Sequence, residues 1–123
     1  MTEAVYLGVD LGTSGLRGLL VRENGNVIGS AEAACSARHP QFGWSEQDPA
    51  QWLAAFDAVM QKLRAAHPKE LAALGGIGLS GHMHGATLLD SADTVLRPCI
   101  LWNDTRASQQ AAMLDAMPDM RAI

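Results

Sequence analysis

Three apolar runs joined by two short polar turns open the chain and limit what it can fold into. Ala4-Val5-Tyr6-Leu7-Gly8-Val9 ends on Asp10, Leu16-Arg17-Gly18-Leu19-Leu20-Val21 follows a Gly/Thr/Ser turn, and Val27 to Ala33 comes third. Runs of this length and composition between turn residues read as strands. Turns this short reverse the chain directly, which makes an antiparallel meander. The Asn24-Gly25 pair in the second turn is a strong hairpin signal, since both central positions of a type I′ turn need a positive φ.

An irregular stretch from Ser36 to Gln47 then leads to Asp48-Pro49-Ala50-Gln51. Asp48 can cap a helix, Pro49 suits its first position, and Gln51 can reach back as a capping-box partner. Trp52, Phe56, Val59, Met60 and Leu63 recur at helical spacing and predict one buried face, with the helix ending near His67 before Pro68. Leu74 to Ser80 predicts a fourth, central strand running into Gly81-His82-Met83-His84-Gly85. Ala86 to Leu89 and Leu96 to Trp102 can form a further hairpin around Asp90-Ser91-Ala92-Asp93. A last helix is expected from Asp104 or Thr105 to about Met117. This order of elements is α/β with a mixed sheet.

The 123 residues are 48% hydrophobic and 18% charged, a globular composition sufficient for one domain with a modest core. A net charge of −4 argues against a basic track for nucleic acid or anionic lipid. Cys35 and Cys99 form no C-x-x-C pattern, so a reducing compartment is expected. Neither a signal peptide nor an apolar run of about 20 residues is visible, and the expectation is a soluble, cytoplasmic protein without a membrane partner.

Four segments can carry chemistry. In Asp10-Leu11-Gly12-Thr13-Ser14-Gly15, an Asp at a strand end can hold Mg²⁺ directly or through water. The turn's N–H groups, the Thr13 and Ser14 hydroxyls and nearby Arg17 can hold the terminal phosphates of a nucleotide. The same residues also make an ordinary hairpin turn, and the pattern alone leaves the two alternatives even. His82-Met83-His84 could ligate a metal, line a ligand cleft at a strand end, or simply hydrogen-bond within the fold, which the residues alone favour. Gly43 to Pro49, with Trp52, is best explained by capping and aromatic anchoring of the helix. Around Leu101-Trp102-Asn103-Asp104, Trp102 packs while Asp104 caps the last helix, or the segment lines the same cleft; both stay open.

Taken together, Asp10-Leu11-Gly12-Thr13-Ser14, Trp44-Ser45-Glu46-Gln47-Asp48-Pro49, Gly81-His82-Met83-His84-Gly85-Ala86-Thr87-Leu88-Leu89-Asp90 and Leu101-Trp102-Asn103-Asp104 resemble the FGGY carbohydrate kinases in order and spacing, over essentially the whole chain. The resemblance implies a ribonuclease H-like fold of the actin-like ATPase class. It also implies transfer of the γ-phosphoryl of MgATP to a sugar, with the 5-hydroxyl of D-xylulose as the best match and gluconate or another pentulose as the alternative. Under it, Asp10 lies at the metal and phosphates and matters for activity, Gly12, Thr13, Ser14 and Arg17 bind ATP phosphate, and Met83 and His84 contact the sugar. His82 stands where related sequences often carry Gln. Residues 1–123 are then expected to be the N-terminal part of the first of two kinase domains. The catalytic base and adenosine site would lie beyond residue 123, the segment alone would be inactive, and the longer parent could be a homodimer. A non-catalytic actin-like nucleotide-binding module is the reading of a different class.

Overall fold

The computed structural model describes residues 3–120. In chain order the elements are β1 (Val5–Leu11), β2 (Gly15–Arg22), β3 (Val27–Ala34), β4 (Glu46–Gln47), α1 (Pro49–Ala66), α2 (Pro68–Ala72), β5 (Leu74–Gly81), β6 (Cys99–Ile100) and α3 (Ser108–Asp115). β1, β2 and β3 form the expected antiparallel meander, and β5 joins parallel to β1, giving the sheet order β3-β2-β1-β5. A parallel neighbour requires a crossover, which α1 and α2 supply.

Strand alternation decides which side of the sheet is core. Val5, Leu7 and Val9 of β1 and Leu16 and Leu20 of β2 are buried, whereas Tyr6, Asp10, Arg17 and Leu19 face outward. α1 lies on the buried side, with Ala55, Val59 and Leu63 in the core and Trp52, Phe56 and Met60 packed partly against it. The helical spacing of these residues therefore identified the right face. Asp48 caps α1 by accepting the Ala50 N–H at 2.9 Å, Pro49 takes the first position, and His67 closes the C-terminus. Gln51 does not complete a capping box. Its amide oxygen accepts the Ser36 N–H at 2.9 Å, because the irregular backbone at Ser36 lacks a ladder partner there.

Other expectations shift in detail. The β2–β3 turn is not type I′, because only Gly25 has a positive φ, at 87°. The Gly25 N–H bonds the Arg22 carbonyl and the Arg22 N–H bonds the Asn26 carbonyl, the pattern of a tight turn followed by a left-handed glycine. Pro68 ends α1 as expected, yet it also begins α2, since a helix's first residue needs no N–H partner. Among the described residues β5 lies at one end of the sheet, beside β1, and its Ile77 and Leu79 side chains are exposed. The anticipated second hairpin shrinks to a single bridge between Leu89 and Val95, because Cys99 and Ile100 pair instead with Glu46 and Gln47. α3 begins at Ser108, after Asp104 has turned its carboxylate elsewhere.

That carboxylate anchors the irregular segment before α1. Asp104 accepts the Ser45 N–H at 2.6 Å and pairs with the Arg106 guanidinium at 2.7 Å. Arg106 also bonds Glu46 at 2.8 Å and lies over the Trp44 ring at 3.7 Å, and Arg97 reaches Glu46 at 2.9 Å. Charges taken from water are tolerable only when their remaining bonding positions are filled, as they are here. The guanidinium hydrogen bond, helped by the Ser45 and Arg106 N–H groups, outweighs burial and holds Asp104 well below the usual carboxylate range. The cluster fixes Glu46, and hence the next residue, Gln47.

Two stability predictions follow from this packing. A Cβ at residue 18 would lie 2.6 Å from Val59 Cγ1 and 3.3 Å from Leu63 Cδ1, so the helix sits where only glycine leaves room. Gly18→Ala should cost about 1–3 kcal/mol in chemical denaturation. Val59→Ala in the same chain should recover part of that loss, and strict additivity of the two would contradict the contact. Asp104 has a depressed pKa in the folded state, so its stabilisation is complete above the ordinary aspartate value of about 4 and is lost as pH falls through the depressed one. Asp104→Asn should lower stability at neutral pH by roughly 3 kcal/mol or more. It should also flatten the fall of Tm on acidification, and an unchanged acid limb would remove Asp104 from this role.

Candidate functional site

Asp10 sits at the C-terminal end of β1 on the side of the sheet away from α1. Its cross-strand neighbours are Arg17 on β2 and Ser80 on β5, and the Ser80 hydroxyl donates to Asp10 Oδ1 at 2.6 Å. β1 then turns sharply into β2, with the Gly12 N–H donating to the Gly15 carbonyl at 2.9 Å. Asp10, Gly12, Ser14, Gly15, Arg17 and Glu32 help to line a cleft of about 320 Å³ on this open face. A carboxylate, a glycine-rich turn and a guanidinium around one concavity suit a metal-bound polyphosphate.

Arg17 is engaged in the structure: its guanidinium bonds the Glu32 carboxylate at 2.8 Å across β2 and β3. This bond raises Arg17 and lowers Glu32 from their ordinary pKa values. Both side chains are about two-thirds exposed, so water and salt screen the pair and a phosphate can compete for the guanidinium. Thr13 does not line the open-face cleft. Its hydroxyl accepts the Trp102 indole N–H at 3.2 Å and its carbonyl accepts Gln47 Nε2 at 2.9 Å.

The other face of the turn is therefore tied to a buried amide. Gln47 is 0% exposed, and its Oε1 receives Trp52 Nε1 at 2.7 Å and faces His82 Nε2 at 3.0 Å. The Thr13 carbonyl can only accept and the indole N–H can only donate, which fixes the amide orientation. His82 Nε2 faces an acceptor and must carry the proton. Burial pushes the His82 pKa down, while the Asp10 carboxylate pulls it partly back up. The ring also lies against Trp52, with centroids 5.3 Å apart. His82 thus turns toward α1 and helps to line a largely apolar cleft with Trp52, Phe56, Ser80 and Thr87.

Met83 and His84 follow His82 in the loop after β5. Both are exposed, and His84 adopts φ 62°, the left-handed region uncommon for residues other than glycine. Sparsely populated backbone of this kind collects at ligand-binding loops. The structure gives no support to a His82–His84 metal pair, and among the described residues no cluster of three or more His, Cys, Asp or Glu could hold a metal ion. The site residues that sequence reasoning missed are Gln47, Trp52 as a hydrogen-bond donor, and Ser80. For Trp102, left open above, the structure places the indole beside the turn between β1 and β2, at Thr13. Only the position of Gln47 within Trp44-Ser45-Glu46-Gln47-Asp48-Pro49 could have signalled it, and a Gln beside a helix cap ordinarily reads as solvated.

Residues 5–122 match the FGGY family of carbohydrate kinases, N-terminal domain. The chain is 44% identical to the xylulose kinase of Escherichia coli K12 over 120 residues, 97% of this chain and 24% of that protein. It is 46% identical to the xylulose kinase of Klebsiella pneumoniae over 111 residues, 90% of this chain and 23% of that protein. The crystal structure of a xyloylose kinase from Brucella ovis superposes with a TM-score of 0.94 at 60% identity, covering 97% of this chain and 25% of that one. The chain spans about a quarter of the length of the curated relatives it matches. Among the described residues no helix is long and apolar enough to cross a membrane. With the family match spanning nearly every residue and the mixed sheet carrying Asp10 at its open end, the chain belongs to the FGGY family of carbohydrate kinases and folds as the N-terminal part of their actin-like ATPase fold.

Proposed function

We propose that this chain is the N-terminal part of the first domain of an ATP-dependent xylulose kinase, which phosphorylates D-xylulose on its 5-hydroxyl. The observation that carries the reading is the 44% identity to a xylulose kinase across 97% of the chain, with Asp10, Met83 and His84 at the ends of neighbouring strands. Phosphoryl transfer needs positioning and charge stabilisation more than covalent chemistry, and this segment supplies part of both. The Gly12–Ser14 turn and Arg17 hold ATP phosphate oxygens, and Arg17 exchanges Glu32 for them. Mg²⁺ keeps most of its waters and binds through one or two carboxylates plus phosphate, so the Asp10 carboxylate, which the Ser80 hydroxyl orients through one oxygen, fits it without a protein cage. When bound, the ion neutralises charge developing on the transferred group. Met83 packs against the carbon skeleton and the His84 imidazole hydrogen-bonds a hydroxyl.

Two predictions test this in the full-length kinase with a coupled ADP-release assay. Asp10→Asn should lower kcat roughly 10²-fold or more while the KM for xylulose changes little, because the group acts on the metal–phosphate complex. Near-normal kcat with a large rise in sugar KM would show Asp10 misassigned. His84→Ala should raise the xylulose KM strongly and leave the KM for ATP within about a few-fold, the loss of a hydrogen bond of roughly 0.5–1.5 kcal/mol or more. His82→Gln should be mild, because an amide can also donate to Gln47 Oε1. Equal damage at both positions, or preferential turnover of gluconate, would overturn the assignment of the sugar.

A further inference from the structure

The amide of Gln47 hydrogen-bonds both halves of the site. Its Nε2 holds the carbonyl of Thr13, in the turn that lines the phosphate cleft, and its Oε1 receives His82, which immediately precedes Met83 and His84. Trp52 of α1 fills the second acceptor position of the same oxygen, and Gln47 itself is wholly buried. A buried amide with its partners in place has one low-energy orientation, because any rotation leaves a donor facing a donor or an acceptor facing an acceptor. Glu46, one residue earlier, is clamped by Arg97 and Arg106, so the backbone that carries the amide cannot easily follow a moving partner. Displacing Thr13 must therefore disturb the hydrogen bond to His82, and the reverse.

We propose that Gln47 is a positioning residue that couples the Gly12–Ser14 turn to the His82–His84 loop, so that filling the phosphate cleft tightens binding of the ketose. A phosphate that orders the turn also orders the amide and the His82 ring, and the sugar loop then loses less freedom when the ketose binds. The coupling is reciprocal, as any linkage between two binding equilibria must be. This inference rests on the kinase reading above, but part of it is measurable without turnover.

The first test is the tautomer of His82 in the full-length protein, carrying ¹⁵N-labelled histidine, with the signal assigned by its loss in His82→Gln. The expected state at neutral pH is protonated Nε2 and bare Nδ1, and an Nδ1–H tautomer overturns the proposal. The second is calorimetric titration of D-xylulose with and without a saturating non-hydrolysable ATP analogue and Mg²⁺. The analogue should tighten xylulose binding by about 5-fold or more in the native protein. The ratio should fall to about one in Gln47→Met, which removes all three bonds. It should fall likewise in Gln47→Glu, whose carboxylate still accepts from Trp52 and His82 but cannot donate to Thr13. A merely structural role would lower Tm and weaken both ligands while leaving the ratio intact, and that outcome overturns the proposal. So does a native ratio of one, which is read without any variant and decides the matter even if both substitutions prevent folding. Absence of any xylulose binding or turnover instead sinks the proposed function, and the His82 tautomer then decides the geometric part alone.

Discussion

The strict alternation along β1 is the constraint on which the remaining structure depends. Val5, Leu7 and Val9 all turn to one side, so the residues between them, ending in Asp10, must turn to the other. The apolar side accepts α1, and the helix closes over it through Val59 and Leu63. The polar side is left open, which places a carboxylate at the rim of a cleft and not in a core where its charge would be costly. One residue of slippage in β1 would bury Asp10 and expose three aliphatic side chains. Core and site are therefore set by a single register.

Holding the site together falls to residues that carry no chemistry of their own. The segment between β3 and α1 has almost no regular structure; Gln51 and Asp104 hold its backbone at Ser36 and Ser45, and Arg97 and Arg106 hold the Glu46 carboxylate. These are long-range contacts, such as the 59-residue separation between Ser45 and Asp104. Loop closure of this kind costs entropy, which the dense pairing and the Arg106–Trp44 stack offset.

What was legible in the sequence follows from this division. The meander, the Asp48 cap and the buried face of α1 rest on local rules of spacing and turn chemistry, and those survive into the structure. Asp10, Gly12 and Ser14 were visible because strand and turn place them locally. Gln47 was not, because its burial arises from Thr13, Trp52 and His82, which are distant in sequence or lie on the next element. The start of α3 was misplaced for a related reason: Asp104 has the composition of a helix cap but its carboxylate goes to Ser45 and Arg106. Cys99 and Ile100 likewise found a partner strand outside their own hairpin. Short polar side chains choose among several partners, and only the tertiary arrangement reveals which one is taken.

The outward edge of β5 has a consequence for handling the chain. Among the described residues its ladder is paired on the β1 side alone, and Ile77 and Leu79 present apolar surface along the strand. The strand is also rich in glycine, with neither proline nor a charged residue along Leu74–Gly81 to deter another strand from adding there. Natural sheets blunt such edges with lysine, proline, a bulge or a covering segment, and here the ladder is interrupted only at its start, where Val5 and Tyr6 pair with Leu74 and Gly76. Produced as these residues alone, the polypeptide should therefore self-associate through strand addition as its concentration rises, and a charged substitution at the exposed Leu79 should keep it dispersed.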